Sequence, residues 1–274
     1  MAHAKKRRIL DLVLGLIFCV ILLFPLYWMV NVSLTKPQHL LASPPHFFPS
    51  DPTFDGYVRA FSTQLPSLLT SVIISLCSVV VTLIVSAPAA YAMTKIKVRG
   101  SGLVMFLLLM AQMIPGIVTV MALYSMYSAV GLLNTYPGLI LADATASIPL
   151  AVILLRAYMI SIPDSLLEAA EIDGAGEARK FFQIVLPLSR NSLVTAALFA
   201  FLFSWGDFLN ARSLTTGNSI VPFTLGLYRF IGSQTTDWNS VMAAAVIASI
   251  PAAFLLVFAQ KYVSAGVTAG AVKD

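Results

Sequence analysis

AAAVIASIPAAFLLVF, residues Ala243 to Phe258, holds no ionisable side chain and a single hydroxyl, Ser249. A membrane-barrel strand alternates apolar and polar residues over about ten positions. This run does not alternate, and neither does LVMFLLLMAQM, Leu103 to Met113. In lipid every backbone polar group must be satisfied within the protein, so a continuous apolar run that crosses a bilayer is a helix. Such runs recur along the whole chain. Of 274 residues, 58% are hydrophobic and only 11% charged, and the mean hydropathy is +0.87. That leaves too few charges to cover a water-facing surface of this size. The sequence reads as an all-α integral membrane protein in a lipid bilayer.

Six transmembrane helices are expected, at about residues 9–30, 67–93, 103–128, 137–160, 192–211 and 241–262, each near the roughly 20 residues that cross a hydrocarbon layer. The first follows Lys5, Lys6, Arg7 and Arg8 as a secretory signal does. It is too long for one, and it ends at Phe24, Pro25, Leu26, Tyr27 and Trp28, an interfacial aromatic belt without small cleavage-site residues. It therefore reads as an uncleaved anchor. Thirteen of the 17 lysines and arginines fall on one side of this layout: Lys5, Lys6, Arg7, Arg8, Lys95, Lys97, Arg99, Arg156, Arg179, Lys180, Arg190, Lys261 and Lys273. By the positive-inside bias both termini are cytoplasmic. The same bias accounts for the net charge of +5, so no nucleic-acid partner is called for. The layout is a basic N-terminus (1–8), a six-helix membrane domain (9–262) and a C-terminal tail (263–274).

Two outward segments are long. One contains SPPHFFPSDPTFDGY, Ser43 to Tyr57, whose prolines favour extended, irregular chain. The other runs from about Arg212 to Ser240. Either offers a docking surface for something outside. GLLNTYPG, Gly131 to Gly138, reads as a tight turn. Cys19 and Cys77 lie in apolar spans as small buried hydrophobes, and no disulfide or metal site is implied.

Between the fourth and fifth spans lies a polar island at about residues 161–190, which includes EAAEIDGAGEARKFFQIVLPLS, Glu168 to Ser189. Pro163 with Asp164 or Ser165 begins a helix on which Leu166, Leu167, Ala170 and Ile172 repeat at helical spacing. Gly174 supplies a turn. Ala178, Phe181, Phe182, Val185 and Leu186 form a second apolar stripe before Pro187. Two short amphipathic helices at a sharp angle make a knob. From the residues alone it either packs beneath the membrane bundle or plugs into a cytoplasmic partner.

Glu168, Ala169 and Ala170, then Asp173, Gly174 and Ala175, then Ile184, Leu186 and Pro187 resemble the EAA loop of permease subunits in bacterial binding-protein-dependent ABC importers. PGLILADATASIPLAVILL before the loop, SWGDFLNARSLTT after it and the tail QKYVSAGVTAGAVKD are similar to maltose-type carbohydrate permeases, in particular to the smaller of their two permease subunits. Gly206 stands where such proteins often carry Asn, and Asn191 where they carry Pro.

The resemblance implies a type I ABC importer permease fold in the bacterial inner membrane. It implies a heterodimer with a second permease subunit, two cytoplasmic ATPase subunits that bind ATP and Mg, and an external solute-binding protein that delivers a di- or oligosaccharide. The knob would enter a cleft of the ATPase, with Glu168 in a polar contact, Gly174 setting the turn, and Leu166, Leu167, Ala170, Phe181 and Phe182 filling the cleft or packing on the bundle. Glycerol 3-phosphate, a glycerol phosphodiester or a polyol fits the same role. The chain contains no G-x-x-x-x-G-K-[ST] loop, so it is expected to be no enzyme and to hold no cofactor itself.

Ionisable groups at membrane depth cost about 2.5–3.5 kcal/mol on insertion scales and default to function. Asp143, with Thr145 near it, falls in the fourth span. Asp207 and Asn210 are spaced for one helix face of the fifth, beside Trp205. These five residues either line a sugar passage or, for the two aspartates, pair with Arg212 or the partner permease. Pro88, Pro115, Pro149 and Pro251 are expected kinks. An ion-coupled secondary carrier is a rival of another class, but the chain shows no repeated pair of broken helices. His3, His39 and His46 are the only histidines, and all lie outside the spans.

Overall fold

The structure is a computed structural model and describes residues 2–49, 51–233 and 237–271. Its elements are α1 (Ala2–Leu34), α2 (Asp55–Tyr91), α3 (Ser101–Gln112), α4 (Gly116–Val130), α5 (Tyr136–Ile160), α6 (Asp164–Ile172), α7 (Glu177–Lys180), α8 (Leu186–Leu188), α9 (Arg190–Gly206), α10 (Leu209–Leu214), α11 (Phe223–Ser233) and α12 (Trp238–Ala271). Short π-helical segments, Ala92–Ile96 and Phe181–Val185, continue α2 and α7. Among the described residues there is no strand, only a bridge between Thr35 and Pro52.

Four stretches are long and apolar enough to cross a bilayer: Leu10–Leu34, Asp55–Ile96, Tyr136–Ile160 and Trp238–Tyr262. Two bent pairs make up to six. The third expected span is not one kinked helix, because Ser101–Gln112 and Gly116–Val130 meet at 101°. Pro115 has ψ 132, lacks an amide donor and disfavours helix at the residue before it, so the helix stops there and restarts at Gly116. By contrast α2, α5 and α12 run through Pro88, Pro149 and Pro251. The fifth expected span also ends early, at Gly206, where Asp207 turns to ψ 128. Of the expected tail, 263–271 continues α12 and Lys273 lies outside the described residues.

The chain divides into two compact units, Met1–Leu65 with Leu227–Ile250 and Pro66–Gly226 with Pro251–Asp274. In the first, the end of α1 is fastened by one side chain. Asn239 donates from Nδ2 to the carbonyls of Ser33 at 2.7 Å, Thr35 at 2.9 Å and Val32 at 3.4 Å, groups that a helix C-terminus leaves without intrahelical partners. Asp237 caps α12 through Ser240 and accepts from Arg59 Nε at 3.1 Å, which ties in the start of α2.

In the second unit α5 packs along α9. Ser67, Ser71, Ser75, Ser78, Thr82 and Ser86 form a buried ladder on one face of α2. Small hydroxyl residues let helix backbones approach in lipid. Two of these hydroxyls bond across elements: Ser78 to the Ile140 carbonyl of α5 at 3.2 Å, and Ser71 from the Phe223 amide of α11 at 2.7 Å. The opposite face of α2 and most of α1 and α3 expose Leu, Ile, Val and Phe, as a lipid-facing surface requires.

Candidate functional site

The polar island folds as the expected helix pair. Pro163 with ψ 133 leads into α6, and Asp164 lies in its first turn, where a carboxylate complements the helix dipole. The helix ends in a Schellman arrangement: Gly174 N–H donates to Glu171 O at 3.0 Å and Ala175 N–H to Ala170 O at 2.9 Å. This places Gly174 at φ 79, a conformation glycine adopts without cost. A Cβ there would meet nothing within 4 Å, so a substitution is resisted by backbone conformation alone. Gly174→Asn is therefore expected to couple normally. Gly174→Val should cost on the order of 1–2 kcal/mol, tilt α6 against α7 and cut solute-stimulated ATP hydrolysis in the assembled transporter. Equal stimulation in both variants would remove this turn from coupling.

The expected apolar stripe divides in two. Leu167, Phe181 and Val185 are buried in a core with Tyr91, Leu155 and Met159, and Ile184 and Leu186 pack at its edge; Ala175 is also buried. Leu166 (46% exposed), Ile172 (88%) and Phe182 (63%) face outward. Glu168, Ala169, Asp173 and Pro187 are exposed and Ala170 is half-buried. Among the described residues the Glu168 carboxylate has no hydrogen-bond or ion-pair partner.

A set of charges that composition and spacing did not single out pins this knob to the end of α2. Lys95 donates to the Ile162 carbonyl and, at 2.8 Å, to Asp164, and Lys97 reaches the other Asp164 oxygen at 3.1 Å. Those hydrogen bonds hold the Asp164 carboxyl below the usual carboxylate range, so this link persists at neutral pH and is lost only as pH falls through that lowered value. Lys180 is buried and bridges Glu177 at 2.6 Å and Glu171 at 3.1 Å, and the Tyr91 hydroxyl donates to Glu177 at 2.7 Å. The pair Glu177 and Lys180, three apart on a helix, was the one local signal. The basic residues of the preceding loop entered the sequence argument only as topology markers.

The second candidate cluster is closed. Asp143, 4% exposed on α5, accepts from Ser204 Oγ at 2.6 Å and from Asn210 Nδ2 at 3.0 Å. Asp207 and Asn210 do not share a helix face, because the helix breaks between them. The Asp207 carboxylate instead accepts from the Asn210 and Ala211 amides, at 3.2 and 3.0 Å, and starts α10. Trp205 is buried with its ring stacked on Phe201 at 5.5 Å, and Thr145 is exposed with its hydroxyl turned back to the Leu141 carbonyl. Among the described residues neither aspartate forms an ion pair with Arg212. The void beside Asp143, Ser204 and Asp207 is about 10 Å³, at the limit for one water and far below a sugar. Ser204 was missed because a serine within an apolar span carries no signal of its own.

A model of the family described as binding-protein-dependent transport system inner membrane component matches residues 82–269. The chain is 35% identical over 255 residues to the trehalose transport system permease protein SugB of Mycobacterium tuberculosis, covering 92% of each chain. To the trehalose/maltose transport system permease protein MalG of Thermococcus litoralis it is 34% identical over 279 residues, covering 100% of this chain and 99% of the relative. Among solved structures, a chain of a bacterial ABC transporter involved in import of the acidic polysaccharide alginate superposes with a TM-score of 0.81 at 24% identity, over 94% of this chain and 96% of that one. At that identity the likeness speaks for the fold.

Proposed function

The chain belongs to the inner membrane components of binding-protein-dependent transport systems, as a permease of the carbohydrate ABC importers, and from that premise we propose that it pairs with a second permease subunit to form a sugar passage driven by cytoplasmic ATPases. The observation that carries this reading is the knob. Its inner face is welded to α2 and α5 by Tyr91, Phe181, Val185 and the lysine–carboxylate pairs, while Leu166, Ile172 and Phe182 face outward and Glu168 is exposed. An amphipathic helix with a free apolar face and a rigid mounting is built to enter a groove of a partner. Closure of two ATPase subunits would then move the helices that carry the knobs. Glu168, Ala169, Ala170, Asp173, Gly174 and Ala175 form its leading helix and turn, and Phe181, Phe182, Ile184, Leu186 and Pro187 its second arm.

The solute is a neutral di- or oligosaccharide of the trehalose or maltose kind, delivered by a solute-binding protein, as the two relatives' names indicate for those proteins. Proteoliposomes that hold both permeases and the ATPases, supplied with the binding protein, are expected to accumulate trehalose or maltose only with ATP inside. Uptake without an ATPase would replace this reading with a secondary carrier.

For the cluster at Asp143 we propose a wall of the passage held in shape, with Ser204 and Asn210 latching α9 and α10 to α5. Asn210→Leu leaves an Asp143 oxygen buried without a donor, which costs about 1–3 kcal/mol or more for a charged group. Uptake should fall several-fold while ATPase co-purification with the complex is unchanged. Loss of the second permease from that variant would instead place Asn210 at the subunit interface.

A further inference from the structure

Pro37 to Pro49, in the segment that follows α1, carries no lysine, arginine, aspartate or glutamate. Three of its large apolar side chains are nonetheless exposed: Leu41 at 93%, Phe47 at 59% and Phe48 at 76%. An apolar patch of this kind, with no charge of its own, marks a surface that meets something other than water.

Its level is set by what holds it. Every residue of α1 from Leu10 to Tyr27 is exposed, and about 20 residues counted from Leu10 cross one hydrocarbon layer, so the outer boundary falls near Trp28. Trp238 opens another stretch long and apolar enough to cross, which puts it at a boundary too. The loop closes on both. The Tyr27 hydroxyl donates to the Phe47 carbonyl, Trp28 meets the Phe47 ring edge-on at 5.9 Å, and Tyr27 meets the Phe48 ring edge-on at 6.2 Å. Leu41 lines a cavity together with Trp28 and Trp238. The three side chains therefore lie at the level of the aromatic belt.

The backbone suits that level. Unpaired peptide groups are costly away from water. Pro44, Pro45 and Pro49 have no amide to satisfy, the His46 carbonyl accepts from Asn31 Nδ2 at 3.1 Å, and the Phe47 carbonyl is taken by Tyr27. Lys36 and Asp51, which flank the stretch, neutralise each other in an ion pair. Continuity favours lipid over a protein partner: the patch rests on the last exposed turn of α1, so lipid that covers Leu23, Phe24 and Tyr27 reaches it as well.

We propose that the segment between α1 and α2 is an interfacial anchor, whose Leu41, Phe47 and Phe48 enter the outer leaflet of the bilayer. Lodged there, it fixes the outer end of α1 against the membrane, whatever solute the transporter carries.

The test is spin labelling of the assembled importer in phospholipid nanodiscs, in a background where Cys19 and Cys77, both exposed, are replaced by alanine. Phe48→Cys and Leu41→Cys carry the label in turn, and both positions are exposed, so the core is left alone. Leu16→Cys on α1 reports lipid, and Ser219→Cys, at an exposed position of the other outward segment, reports water. Power saturation compares collisions with oxygen, which enters lipid, and with a nickel chelate, which stays in water. The labels at Phe48 and Leu41 should favour oxygen as the one at Leu16 does, at a depth of about 5–10 Å into the headgroup and acyl boundary. Nickel collisions at Phe48 like those at Ser219 overturn the inference, whatever Leu41 shows. Shielding from both reagents overturns it too, and gives the surface to the second permease subunit. Nickel collisions that are lost only when binding protein is added give it to that protein instead.

Discussion

Phe182→Asp should abolish solute-stimulated ATP hydrolysis and strip the ATPase subunits from the purified complex. Phe182 is 63% exposed, and its ring is steadied edge-on by Phe181 at 4.9 Å, which is itself buried in the core with Tyr91. A pre-positioned aromatic on an exposed face is the profile of an interface anchor. Truncating such an anchor costs about 2–4 kcal/mol, or roughly 30- to 1,000-fold in affinity, and a carboxylate adds desolvation. Membrane insertion should be untouched, since the side chain contributes little to the subunit's own core. Glu168→Lys should weaken the same association less, by charge reversal at the rim of the contact. Full ATPase retention in Phe182→Asp would mean that the outer face of the knob rests on lipid.

That face was only half visible in the sequence. Helical spacing put Leu166 with Leu167 on one apolar stripe and Phe181 with Phe182 on a second, because adjacent residues in a helix differ by about 100° and a wide stripe tolerates both. Which member of each pair faces the bundle depends on where α2 ends, and that is set by Lys95, Lys97 and Tyr91 some 70 to 90 positions earlier. No local pattern carries such a contact. The membrane spans were legible for the opposite reason: a bilayer imposes its length and polarity on every segment that crosses it, one segment at a time.

The misreading at Asp207 and Asn210 shows the limit of periodicity from another side. A spacing of three places two residues on one face only while the helix continues. Gly206 followed by Asp207 is a stop and a restart: a residue with high conformational entropy, then a carboxylate that accepts from the first amides of the next helix. The Asp207 bonds to Asn210 and Ala211 are of that kind. The apolar run around the pair outweighed this cue. At Pro115 the cue was read, but the chemistry of a missing donor does not fix an angle. The 101° turn follows from how α3 and α4 pack, which lies beyond any single residue.

Gly56→Ala is expected to destabilise the first unit more than its one added carbon implies. A Cβ at Gly56 would lie 2.0 Å from Asn239 Oδ1, 2.7 Å from Cγ and 3.0 Å from the Asn239 backbone oxygen. Asn239 is fully buried and cannot simply rotate away, because its Nδ2 holds the carbonyls of Ser33 and Thr35 at the end of α1. The substitution must therefore either strain the start of α2 against α12 or release those carbonyls. Overpacking costs about 1–3 kcal/mol and a released buried group about as much again, so the apparent Tm of the purified subunit should fall by roughly 5 °C or more. A double-mutant cycle tests the cause. In an Asn239→Ala background, itself destabilised by the loss of the fastening, the side-chain clash is gone and only the 3.0 Å approach to backbone is left. Gly56→Ala should then cost less than half of what it costs in wild type. Costs that simply add would show that Gly56 is needed for the local conformation of α2 and not for the room it leaves Asn239.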